Sequence, residues 1–263
     1  MLVVLALWLG VGAAVRAQDR GKTVADWWEA AYLQGTRSGH VHTFVKEYEQ
    51  EGVKVYRSTI EMRFNVRRFN DTVQLAMDSG THELAGGRVF GTFMRQMVGK
   101  NKTVEIVGAV DGRQLTLTLD QTKLLTPAPW DPQVLGVAKQ KTLFKDRNVK
   151  PGDAFSYKSF EPTINLVARI QVSVKDYEEV ELLTGKQKKR LLRVEAKADK
   201  IDNFQLPPYV AWLDEGLMPV RAQLEVPGLG KVMLYQTTKE FALAPSNAAP
   251  AFDVGTGHYV RLS

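Results

Sequence analysis

The sequence predicts a mainly β protein: one large curved antiparallel sheet, an unclosed or half barrel, with one inserted helix. Three observations carry this expectation. Short apolar runs with a period of two recur along most of the chain, about ten in all, as half-buried strands require. Turn signals such as Asp111-Gly112, Lys150-Pro151-Gly152-Asp153 and Asp214-Glu215-Gly216 separate them. Helical periodicity interrupts the strands once in mid-chain, without the strand–helix alternation of a parallel sheet.

Residues 1–17, MLVVLALWLGVGAAVRA, read as a secretory signal peptide. The apolar run Leu2 to Val15 is short for a bilayer span, and Val15 and Ala17 fit the small-residue rule for cleavage between Ala17 and Gln18. The expected location is therefore the periplasm, cell envelope or exterior, with no membrane span after signal removal. Residues 18–241 form a single antiparallel domain, and 242–263 are a linker and C-terminal stub. Thr23 to Ala31 is expected to be a short helix tethered by Trp27 and Trp28. Gly35 and Gly39 bracket a turn. In Val53 to Phe64, the residues Tyr56, Ile60, Met62 and Phe64 share one strand face. Asp111-Gly112 joins a hairpin. Asp131-Pro132 begins the inserted helix, whose stripe Val134, Leu135, Ala138 and Leu143 runs to about Arg147. Val180 to Leu183 and Leu191 to Lys197 pair across a basic tip, Lys186 to Arg190. The central hairpin is Tyr209 to Val226, where Ala222 and Leu224 alternate with Arg221 and Gln223, and Gly216 supplies a positive φ at the turn.

The chain has 263 residues, 35 basic and 29 acidic, and a formal charge of +6. The basic residues are dispersed along strands, apart from the tip, so no nucleic-acid partner is expected. There is no cysteine, which excludes disulfides, thiolate metal sites and a cysteine nucleophile.

Trp28 to His42 (WEAAYLQGTRSGHVH), the KPGD turn and WLDEGLMPVR together resemble the β domain that precedes the catalytic domain in exported, planctomycete-type transglutaminase-like proteins. The Trp212-x-Asp214-x-Gly216 pattern is also similar to lipoprotein-carrier-like unclosed barrels. The first resemblance implies a partner, a transglutaminase-like domain or envelope protein. It carries no catalytic residue onto this chain, which lacks the cysteine.

No catalytic set, cofactor site or metal site is expected. His40 and His42 share a strand face, but two imidazoles need further ligands to hold an ion. His82 and His258 lie elsewhere. Asp214 and Glu215 are adjacent on a tight turn, whereas a glycosidase pair must face across a bond. Phe64, Phe93, Trp130, Tyr209 and Trp212 are candidates to line a cavity for an apolar ligand. The expected function is a non-catalytic scaffold or interaction module. The alternatives are a carrier of a lipid or other apolar ligand, and a fragment of a transglutaminase-like enzyme.

Overall fold

The protein is described by a computed structural model over residues 21–68, 71–98, 102–120, 122–123, 127–183, 188–200, 205–226 and 230–245. The expected signal peptide, His258 and residues 186 and 187 of the basic tip lie outside the described residues.

Among the described residues, fifteen strands form one antiparallel sheet that does not close, and two helices accompany it. In chain order the strands are β1 (Lys22–Leu33), β2 (Thr36–Gln50), β3 (Val53–Arg68), β4 (Asp71–Leu84), β5 (Val89–Val98), β6 (Lys102–Asp111), β7 (Gln114–Leu119), β8 (Thr122–Lys123), β9 (Ala128–Pro129), β10 (Ala154–Glu161), β11 (Leu166–Glu181), β12 (Lys188–Ala198), β13 (Tyr209–Leu213), β14 (Pro219–Val226) and β15 (Gly230–Thr237). Helix α1 is Val137–Arg147 and helix α2 is Lys239–Leu243. None of the described helices is long and apolar enough to cross a membrane.

The sheet consists of two meanders. One runs β1 to β8 and the other β10 to β15, each strand pairing with its sequence neighbour, and β15 pairs with β1 to join them in mid-sheet. The register fixes which residues share a face, because side chains alternate along each strand. One face, here the inner, carries Leu33, Ile60, Met62, Phe64, Leu75, Ala211, Leu213, Ala222, Leu224, Val232 and Leu234. Helix α1 packs on this face through Phe144, against Val172, Val174, Leu192, Val194, Ala211 and Leu213.

The two free ends of the sheet overlap instead of pairing. Phe160 and Val167 point away from the inner face of β10 and β11, yet they pack with Met94, Ile106, Leu115 and Leu117 from the inner face of β5, β6 and β7. The first end is therefore tucked inside the second, as in a rolled sheet. Residues 128–135 stitch the overlap. β9 pairs with β7, the Trp130 N–H donates to the Arg113 carbonyl at 2.8 Å, and the Leu135 N–H donates to the Lys158 carbonyl of β10 at 2.9 Å.

Several expectations hold. The Asp111-Gly112 turn joins β6 to β7, β11 pairs with β12, and the central hairpin is β13–β14; Lys188 to Arg190, expected at the tip, are instead paired residues of β12. Others are corrected. Residues 23–31 are not a helix but part of β1, a strand flanked on both sides; two ladders of backbone hydrogen bonds override weak local helix signals. Gly39 is not in the turn. It lies inside β2, where an added Cβ would come within 1.8 Å of the Arg63 carbonyl oxygen. The helix begins at Val137, after Asp131 and Pro132 have been taken up by the stitch. In the β13–β14 turn the positive φ falls on Leu217 (57°), not on Gly216, because Asp214 caps the turn by accepting from the Met218 N–H at 2.9 Å. Residues 242 and 243 belong to α2 rather than to a linker.

Candidate functional site

Helix α1 occupies the inner face, and charged groups of β1 and β4 help to position it. Its sequence, VAKQKTLFKDR, has only Leu143 and Phe144 buried. Its N-terminus meets β3 and β4. Glu83, only 2% exposed, accepts from Ser58 Oγ at 2.8 Å and Thr81 Oγ1 at 2.7 Å. The Val137 N–H donates to Thr81 Oγ1 at 3.1 Å, and the Ala138 N–H reaches Glu83 Oε1 at 3.5 Å. A carboxylate there satisfies helix-end N–H groups and complements the positive end of the helix dipole. Gly136 is what permits the approach: a Cβ on it would lie 2.0 Å from the Glu83 carboxyl carbon. In mid-helix, Lys141 pairs with Glu29 of β1 at 3.0 Å. Tyr209 is half-buried nearby, and its hydroxyl is pushed far above the usual range by burial and then by Glu29 and Tyr157. Burial likewise pushes Tyr157 up to about 12. At the C-terminus Asn148 takes the left-handed conformation (φ 48°), and Arg147 covers the Phe155 ring at 4.3 Å.

The opposite, outer face carries a ladder of rings. Trp28 and His42 are cross-strand partners, and their rings stack at 3.7 Å with an interplanar angle of 11°. Phe44 stacks on the other side of His42 at 4.7 Å, and the Lys239 ammonium lies 5.8 Å from the Trp28 ring. His42 Nε2 meets Asp26 Oδ1 at 2.8 Å and its Nδ1 meets Glu61 Oε2 at 3.0 Å. His40, beside them, is held below the ordinary histidine range by burial and then by Arg63. Trp28 Nε1 is buried without a partner among the described residues. Short helix α2 is tied down alongside by Arg37, whose guanidinium donates to the carbonyls of Phe241, Ala242 (3.1 Å) and Ala244 (3.0 Å).

His40 and His42 thus share a face as expected, but Asp26 and Glu61 take the two His42 nitrogens one each. Among the described residues, no three histidine or carboxylate groups are disposed to share an ion. Asp214 serves the turn, and Glu215 is exposed beside it. The five cavity candidates do not converge. Phe64 packs with Leu33 and Val66, Tyr209 with the α1 cluster, and Trp130 with the stitch. Phe93 lies against His82 on the outer face, and Trp212 packs with Val180, Leu191 and Met233. Sequence reasoning missed Glu83, Glu29 and Lys141. Their only sequence signal is a carboxylate or ammonium inside an otherwise alternating or helical run.

No protein family matches the chain, and no curated protein does. Among solved structures, the crystal structure of a beta-barrel-like protein of domain of unknown function DUF1849 from Brucella abortus superposes with a TM-score of 0.52 at 10% identity, covering 81% of this chain and 95% of that one. The fold is β-barrel-like. That likeness concerns the fold alone and does not extend to any residue's role.

Proposed function

We propose that the protein is an exported, non-catalytic β scaffold that acts as an interaction module through its outer face, accessory to a transglutaminase-like domain or another envelope protein. The observation that carries this reading is the occupied inner face. Helix α1 fills the position where a carrier would hold its cargo, and it is anchored by Glu83 at one end and Phe144 at the other. The ring ladder of Phe44, His42 and Trp28 stays half-buried on the outer face, with an indole N–H unpaired among the described residues. Aromatic side chains with polar handles are the groups that anchor interfaces. The transglutaminase-like partner rests on the resemblance of Trp28 to His42 and of the KPGD turn.

The test is calorimetry of the purified protein with a transglutaminase-like domain from the same genome. The expected result is saturable binding that a Trp28→Ala, His42→Ala double variant weakens at least about tenfold. No binding, or binding indifferent to the ladder, removes this reading of the outer face. Turnover of amide, ester or glycoside substrates that depends on Asp214 would replace it with an enzyme. A lipid retained in native mass spectrometry would favour a carrier instead, with α1 displaced.

A further inference from the structure

The overlap of the two sheet ends leaves a groove of about 320 Å³ beside the stitch, lined by Pro129, Trp130, Asp131, Lys158, Val167 and Arg169. Its apolar part is rigid. Trp130 is 4% exposed and rests against Phe160 with ring centres 5.6 Å apart, while Val167 packs in the same cluster. Its charged part is unbalanced. The Lys158 ammonium is already committed, donating to the Asp131 carboxylate and to Gln133 Oε1 at 3.3 Å. Asp131 also accepts from the Gln133 N–H at 2.8 Å. Arg169 differs. Its Nε donates to Ser156 Oγ at 3.1 Å, which orients the guanidinium plane, and its terminal amino groups have no protein acceptor among the described residues. Arg113 adds positive potential from the rim, since it acts on Asp131 together with Lys158.

We propose that this groove binds a small apolar monocarboxylate, its carboxylate paired with the terminal amino groups of Arg169 and its hydrocarbon body against Pro129, Val167 and the rim of Trp130. A planar fork of donors matches a carboxylate. A single uncommitted guanidinium suits one negative charge; a dianion would face Asp131 with too little compensation. The volume lies at the small end of ligand pockets. Such a ligand touches the stitch and β11 at once, so it fastens the two ends of the roll to each other. This inference goes beyond the scaffold reading and uses a different surface from the ring ladder.

The experiment titrates the purified protein with naphthoate by calorimetry and follows the melting temperature. The expected outcome is a Kd below about 1 mM with a rise in melting temperature, and binding at least about tenfold weaker in Arg169→Gln. Arg169 is exposed on its strand, so that variant should melt like the parent without ligand. Naphthamide, equal in shape but uncharged, should bind the unaltered protein at least about tenfold more weakly. If Arg169→Gln fails to fold, the naphthamide comparison decides alone. Absence of saturation by about 10 mM naphthoate, or equal affinity for naphthoate and naphthamide, overturns the proposal. Undiminished binding by a folded Arg169→Gln also overturns it.

Discussion

The two halves of the inner face hold the same helix by different means. The half built from β10 to β13 offers Val172, Val174, Leu192, Val194, Ala211 and Leu213, and it receives Phe144 and Val149. The half built from β2 to β5 offers Thr43, Ser58, Ser79, Thr81, Glu83 and Thr92, all buried. Apolar burial is strong but non-directional. Hydrogen bonds to a buried carboxylate add less net stability, yet they tolerate little misplacement. The apolar half therefore supplies most of the adhesion, and the polar half decides where the helix N-terminus lies.

The largest break in that comparison should come from Leu213→Ala. Leu213 is 0% exposed, and truncation should cost about 2–5 kcal/mol, read as a lower urea midpoint with an unchanged slope. Next comes acid, which should act through His82, on the outer face of the strand whose inner face carries Thr81 and Glu83. This ring, half-buried between Phe90 and Phe93 and held by the Tyr48 hydroxyl at 3.0 Å, is pushed from 6.5 down to about 4 by burial and then by Arg57. The unfolded chain takes up that proton from about pH 6.5 downward, whereas the folded chain does so only near pH 4. The stability contributed by this group is thus complete above pH 6.5, is lost as pH falls toward 4, and is level below that. The loss amounts to about 3 kcal/mol in the parent and should be absent from His82→Gln. Urea midpoints measured from pH 7 downward should fall less steeply in His82→Gln; equal slopes would mean that the ring titrates normally.

A smaller effect separates the two halves directly. Glu83→Gln should cost about 1–3 kcal/mol. It should also speed hydrogen exchange at the Val137 and Ala138 amides well before the rest of the sheet opens. Leu213→Ala should instead lower protection throughout the sheet. Uniform loss of protection in both variants would show that the polar half has no separate positioning role. The smallest effect belongs to Gly216→Ala. With an ordinary φ there and only Asp214 Oδ1 nearby at 3.3 Å, it should stay within about 0.5 kcal/mol of the parent by thermal melting.

How much of this was legible follows from what each feature depends on. The hairpins at Asp111-Gly112 and across Tyr209 to Val226 depend on neighbouring residues, so alternation and turn chemistry reveal them. The strand over residues 22–33 depends on partners at both ends of the chain, and two adjacent tryptophans with interspersed alanines carry no local mark of it. Leu217 rather than Gly216 takes the positive φ because Asp214 Oδ1 reaches the Met218 N–H, a choice made by hydrogen bonding within the turn. Glu83, Ser58 and Gly136 meet only through the register of β3 with β4 and the return of the chain after the stitch. A lone glutamate in a strand announces none of that. The histidine pair was visible as a strand face, while its carboxylates, Asp26 and Glu61, come from the strands on either side.

The β15–β1 pairing has a consequence for how the chain reaches this state. It joins Trp28 to Thr237 and Leu33 to Val232, so the seam between the two meanders is also the strand pairing of greatest sequence separation among the described residues. Each meander can assemble from local hairpins as it is made, but the first strand, covered on one edge by β2, must wait for the last before its other edge is covered. Folding should therefore end in a slow step set by that distant closure. A circular permutant that links the end of α2 to β1 and opens the chain near Lys150 would turn the same sheet into one uninterrupted meander, β10 through β15 and then β1 through β8. Its refolding should be faster than the parent's at similar stability, because the most distant pairing has become a local one.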